Sequence, residues 1–228
     1  MSDLVDNHIN TRSLQAELTA KRDSGRKLLL PYVTAGIVAN WMDCVEAVIE
    51  AGADAVEIGI PFSDPAMDGP TIQQASVQAL DNGITPHGAL SELRTREFAV
   101  PLIAMTYFNL VFRYGNERFA SDLAAAGCAA AILPDLPFEL AGEWQEAATA
   151  HGIENVLLAA PVSSDERLAQ LVERTRGFVY TVSTMGTTGE RAELDNAASI
   201  LSQRVKAISD LPVIIGFGIS NPEHAVSA

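Results

Sequence analysis

Cysteine is scarce: the 228-residue chain has two, Cys44 and Cys128, far apart and outside any CxxC pair, so both read as buried free thiols. Basic residues are in deficit too. Fifteen Lys and Arg stand against 29 Asp and Glu, a net charge of -14, and no basic cluster interrupts the acidity. That balance argues against an electrostatic grip on nucleic acid or anionic lipid and favours solubility. The N-terminal MSDLVDNHINTRS has no apolar signal core, and no stretch reaches the roughly 18 to 20 uninterrupted apolar residues of a membrane span, so the expected location is cytoplasmic. The four histidines, His8, His87, His151 and His224, have no metal-ligand spacing, and HExxH and nucleophile-elbow motifs are absent. No metal site is expected.

The chain is rich in apolar residues, at 48% with 19% charged and a mean hydropathy of +0.14, enough to bury a substantial core. Short apolar runs recur at 28–33, 55–60, 101–107, 129–134, 155–160, 177–182 and 212–218, each followed by turn residues and an amphipathic helical pattern. The runs are continuous rather than alternating, as expected of parallel strands covered on both faces, with helices of about 10 to 15 residues filling the gaps. Segments 50–65 (EAGADAVEIGIPFSDP) and 124–139 (AAAGCAAAILPDLPFE) resemble each other: a helix ending at glycine, an apolar strand, an acidic-proline exit. Polar helix starts are legible at Ser164, Asp165 and Glu166, and again at Ser220, Asn221 and Pro222. An extra helix at about 11–24 suits a lid across the bottom of a barrel. The pattern predicts one domain over 1–228 with α/β architecture, a (β/α)8 TIM barrel rather than an open doubly wound sheet, from which an eighth strand and helix are missing in this sequence.

In such barrels chemistry sits at the strand C-terminal ends. There the stretch VEIGIPFSDPAMDGP gathers Glu57, Asp64 and Asp68. Glu57, among apolar neighbours, points either into the barrel or towards the helix layer, and it is costly if charged and unpaired. The competing reading is a satisfied core carboxylate, and for each aspartate a loop cap. A strand carboxylate and a loop carboxylate facing one cavity can divide into a protonated acid and an ionised partner, the division that acid–base catalysis needs. Tyr107 and Tyr180 end strands three and six, where their phenols can flank the same cavity or belong to the core. GFGIS at 216–220 sits where barrels commonly hold phosphate. STMGTTGE at 183–190 lacks the lysine of a nucleotide-binding loop and reads as a mobile polar loop.

The stretches LPYVTAG, EAGADAVEIGIPFSDPAMDGPTIQ, YFNLVFRYG, PDLPFEL, TTGER and GFGISNPEH, in this order, resemble the tryptophan synthase alpha subunit family from about residue 13 onward. The resemblance implies a lyase that splits indole-3-glycerol phosphate into indole and glyceraldehyde 3-phosphate by a retro-aldol reaction. It also implies an alpha2-beta2 assembly whose beta subunit carries pyridoxal phosphate, with no cofactor in this chain. Matched by position, Glu57 and Asp68 fall on the family's catalytic pair. Tyr180, Thr188, Gly189, Phe217 and Gly218 fall on substrate-side positions, with Tyr107 beside them, and Asp64 falls on the surface that meets the beta subunit. The chain departs from the family in the loop TAGIVANW after strand one, which lacks an Asp-Pro. Thr184 stands where an arginine is common, and the glycine-serine helix start after strand eight is missing, so weakened phosphate binding is expected. A free-standing indole-producing lyase, and a barrel retained only to activate a partner, are the competing functions.

Overall fold

The computed structural model describes residues 12–182, 196–216, 219, 222 and 226. Seven strands form one sheet in sequential order, β1 (Tyr32–Thr34), β2 (Val56–Gly59), β3 (Leu102–Met105), β4 (Cys128–Ile132), β5 (Glu154–Ala159), β6 (Val179–Thr181) and β7 (Val213–Ile215). Every neighbouring pair is parallel. The strands coincide with the seven apolar runs, but β1 starts later than the run at 28–33 suggests. Pro31 explains the delay: it has no N–H to give a ladder, although its carbonyl still accepts from Glu57 N at 2.9 Å.

Side chains alternate between two cores. Val56, Ile58, Leu102, Ala104 and Ala131 pack outward against the helices. Ala55, Ile103, Ala130, Val156, Phe178 and Tyr180 pack inward on one another. Because β2 has a period of two, Glu57, between outward Val56 and Ile58, projects into the interior, which answers the question its apolar neighbours leave open.

Helix α1 (Leu14–Asp23) places Leu14 and Leu18, both fully buried, in that inner core beside Phe178 and Val156. Ser13 caps it, and Glu154 at the start of β5 accepts from Ser13 Oγ at 2.7 Å and Gln15 N at 2.9 Å. A helix thus does close the N-terminal end of the strands. Asp54, buried before β2, ties the following turn down through Lys21 at 3.1 Å, Arg26 at 2.8 Å and Leu29 N at 2.9 Å.

The remaining helices line the outer face. α2 (Trp41–Glu50) and α6 (Asn116–Ala125) each end two positions before a left-handed glycine, Gly52 at φ 105° and Gly127 at φ 76°, the shared helix stop of the repeated segments. On α2, Trp41 and Val45 face the core, while Cys44 lies just off that stripe and is exposed. The expectation of a buried thiol is therefore corrected for Cys44 and holds for Cys128. Two gaps hold a pair of helices each instead of one. α3 (Pro70–Asp81) and α4 (Pro86–Leu93) follow β2; α5 (Phe108–Tyr114) and α6 follow β3, separated by Gly115 at φ 92°. α7 (Gly142–Ala150), α8 (Asp165–Arg174) and α9 (Asn196–Lys206) complete the set of described helices. Ser164 caps α8 through Arg167 N, as its sequence suggests, whereas Ser220 and Asn221 lie outside the described residues.

Candidate active site

Glu57 sits in the middle of β2, in register with Tyr32 on β1 and Ile103 on β3, and is 4% exposed. Removal from water is the dominant influence on its carboxyl, which is pushed up to about 8. At neutral pH the side chain is therefore an acid with a proton to give.

Asp68 comes from the loop between β2 and α3, eleven positions on, where Gly69 and Pro70 start α3. Its Oδ2 accepts from the Tyr107 hydroxyl at 3.1 Å, and that same oxygen of Tyr107 accepts from Met67 N at 3.0 Å. Tyr107 thus stitches the loop at two adjacent points, and its ring stacks on Phe62 with centroids 5.1 Å apart. Partial burial raises the Asp68 carboxyl, and the Tyr107 bond works against the rise. Tyr107 is itself fixed as the residue before α5, whose first amide, Phe108 N, donates to Asp135 at 2.8 Å.

Two phenols complete the interior. The Tyr180 hydroxyl donates to Gly216 O at 3.2 Å, and the Tyr32 hydroxyl lies over Gly59. A Cβ built on Gly59 would lie 1.8 Å from the Tyr32 oxygen, and one on Gly216 would lie 1.8 Å from the Tyr180 oxygen. The couples are built alike: Tyr32 is in register with Glu57 and reaches two residues further to Gly59, and Tyr180 is in register with Ile214 and reaches two further to Gly216. Both phenols are raised, chiefly by burial. Tyr32 then feels Asp68 and Glu57, and Tyr180 feels Glu57, Asp68 and Tyr32. One interior therefore holds two carboxylates and two phenols. A narrow cleft at the strand C-terminal ends is lined by Tyr32, Phe62, Asp68, Met105, Thr106 and Tyr107, among others.

Of the residues singled out in the sequence, the structure brings Glu57, Asp68, Tyr107 and Tyr180 to this end of the sheet. Asp64 lies apart, exposed, with its carboxylate taking the Ser63 hydroxyl at 2.5 Å. Thr184, Thr188, Gly189, Phe217 and Gly218 lie outside the described residues. Sequence reasoning passed over Tyr32 and Asp135. The first lies within an apolar run and looks like core; the second hides in a proline-flanked turn. Among the described residues no group of three or more His, Cys, Asp or Glu side chains could hold a metal ion, and no helix is long and apolar enough to cross a membrane.

Comparison with known proteins is consistent across sequence and structure. The family model of the tryptophan synthase alpha chain matches residues 18–228. The tryptophan synthase alpha chain of Streptomyces coelicolor is 42% identical over 220 residues, covering 95% of this chain and 81% of the relative. That of Mycobacterium ulcerans is 45% identical over 207 residues, covering 90% and 77%. A solved structure of Mycobacterium tuberculosis tryptophan synthase superposes with a TM-score of 0.84 at 41% identity, covering 92% of this chain and 81% of that one. A tryptophan synthase a2b2 complex from Pyrococcus furiosus gives 0.80 at 40% identity, covering 88% and 82%.

Proposed function

The chain belongs to the tryptophan synthase alpha chain family, lyases that cleave indole-3-glycerol phosphate in tryptophan biosynthesis, and we propose that its acid–base work falls to Glu57 and Asp68. The reaction is a retro-aldol cleavage to indole and glyceraldehyde 3-phosphate. Its C3–C1' bond breaks only after the indole ring accepts a proton at C3, which Glu57 is suited to deliver because burial keeps its carboxyl protonated up to about pH 8. Protonation at C3 leaves positive charge on the indole nitrogen. An ionised Asp68, held by Tyr107, offsets that charge through the indole N–H. Glu57, now a carboxylate, removes the proton of the C1' hydroxyl; the C3–C1' bonding pair returns to the ring and neutralises the nitrogen as the aldehyde forms. The proton count closes.

The observation that carries this reading is a buried strand carboxyl in register with Tyr32, and a loop carboxylate that lines one cleft with that same phenol. Tyr107 and Tyr180 are proposed to wall the indole side. Thr188, Gly189, Phe217 and Gly218 keep the substrate-side roles that the resemblance implies. Asp64 is proposed to face a beta subunit, in an assembly like the a2b2 complex of the Pyrococcus furiosus relative. Pyridoxal phosphate is then the beta subunit's cofactor, and this chain needs none of its own. A cytoplasmic location accords with its place in amino-acid biosynthesis.

An indole-release assay on the chain, on Glu57→Gln and on Asp68→Asn tests the pair. Each substitution is expected to lower turnover by about 10²-fold or more. Equal rates in all three would overturn the assignment.

A further inference from the structure

We propose that Tyr32 is a positioning residue of the acid–base pair, its phenol O–H directed at the Asp68 carboxylate so that Asp68 is held between two phenols, Tyr107 and Tyr32. The proposal rests on Asp68 acting as the ionised partner. Four observations lead to it. First, Tyr32 lies on the interior face of β1, directly in register with Glu57, so its side chain starts beside the acid. Second, the absent side chain at Gly59 lets the phenol lie across β2 towards the strand's C-terminal end. Third, Tyr32 lines the same cleft as Asp68 and Tyr107. Fourth, Thr34 stands two residues on along the same face of β1, and its influence on the phenol opposes the rise that burial causes.

A phenol has a single proton. The carboxylates that act on the Tyr32 phenol are those of Asp68 and, less strongly, Glu57. Of these, Glu57 is protonated at neutral pH and Asp68 is the better acceptor. Tyr107 already donates to Asp68 Oδ2, which leaves Oδ1 for a second donor. The charged and titratable groups around Asp68 are thus Tyr107 from the β3 end, Tyr32 from β1, Glu57 from β2 and Tyr180 from β6, with Asp135 acting on Tyr107. Among the described residues none of these groups is a cation, so there phenols are the donors at hand for an ionised carboxylate.

Tyr32→Phe keeps the ring over Gly59 and removes only the O–H. In the full chain bound to a beta subunit, the acid limb of kcat/KM for indole formation is expected to move up by about half a pH unit, because a carboxylate that loses a donor binds its proton more tightly. Carbon-13 carboxyl titration should show the same shift without turnover, with the Asp68 resonance identified as the one missing from Asp68→Asn. Thr34→Val leaves the phenol and removes the hydroxyl that acts on it, and should move the midpoint the same way by less. A merely structural Tyr32 would lower stability and leave the Asp68 midpoint in place, and that result would overturn the proposal. Wild-type turnover in Asp68→Asn would instead overturn the role given to Asp68, while the carboxyl titration would still decide on Tyr32.

Discussion

At the scale of single residues the site holds a carboxyl whose ionised form the fold disfavours. Glu57 titrates near 8 in the fold against 4.5 when free, so between those values the native state binds more protons than the unfolded chain. Stability therefore falls as pH rises through that window, and the loss is complete above it. Glu57→Gln removes the titration and keeps the shape. Its melting temperature should match wild type near pH 4.5 and exceed it increasingly towards pH 8. Each pH step of one across that window adds about 1.4 kcal/mol, so the advantage reaches a few kcal/mol at most. Thermal denaturation across pH 4.5 to 9 would reveal a flat difference if the carboxyl were not desolvated. Tyr107→Phe is a milder probe. It deletes the bonds to Asp68 and Met67 while keeping the stack on Phe62, and should lower kcat by roughly tenfold with little change in fold, as judged by steady-state kinetics and circular dichroism.

At the scale of elements, the strands were readable because a sheet buried on both faces needs unbroken apolar runs, and those same runs concealed direction. With Val56 and Ile58 as apolar as any inward residue, nothing local told whether Glu57 faced the barrel or the helices; only the packing of neighbouring strands decides it. The doubled helices after β2 and β3 were equally hidden, since Gly83, Pro86 and Gly115 read as ordinary punctuation within one long gap. Tyr32 was missed for a non-local reason: its meaning depends on Gly59, a glycine on the next strand. α1 owes its place to two leucines that plug the N-terminal end of the sheet. Leu18→Ala should cost about 2 to 5 kcal/mol in urea unfolding, since the surrounding barrel layer is too constrained to collapse into the hole. Indole release per folded molecule should hardly change, because α1 lies at the end opposite the carboxylates.

At the scale of the whole molecule, seven strands in strict sequential order hold the cluster of carboxyls and phenols towards one end and the α1 plug at the other; the strand order is what the βα rhythm of the sequence made plain. Surface roles were less legible, because an exposed aspartate beside a proline looks the same whether it caps a turn or meets another protein. Asp64→Lys should separate these. We expect the affinity for a beta subunit, measured by titration calorimetry, to fall by roughly tenfold with the melting temperature nearly unchanged, since exposed substitutions rarely shift stability by more than about 0.5 kcal/mol. Unaltered affinity would return Asp64 to the role of a turn residue. The two tyrosine–glycine couples, one near each edge of the sheet, have a bearing on how such a barrel can vary. Within each couple the space is shared, so what must be kept is the sum of two volumes rather than either identity. Exchanging one position at a time would make any side chain at 59, and any large change of volume at 32, look forbidden, whereas a paired library that trims the aromatic as it enlarges the glycine opens sequences that single changes reach only through a damaged intermediate.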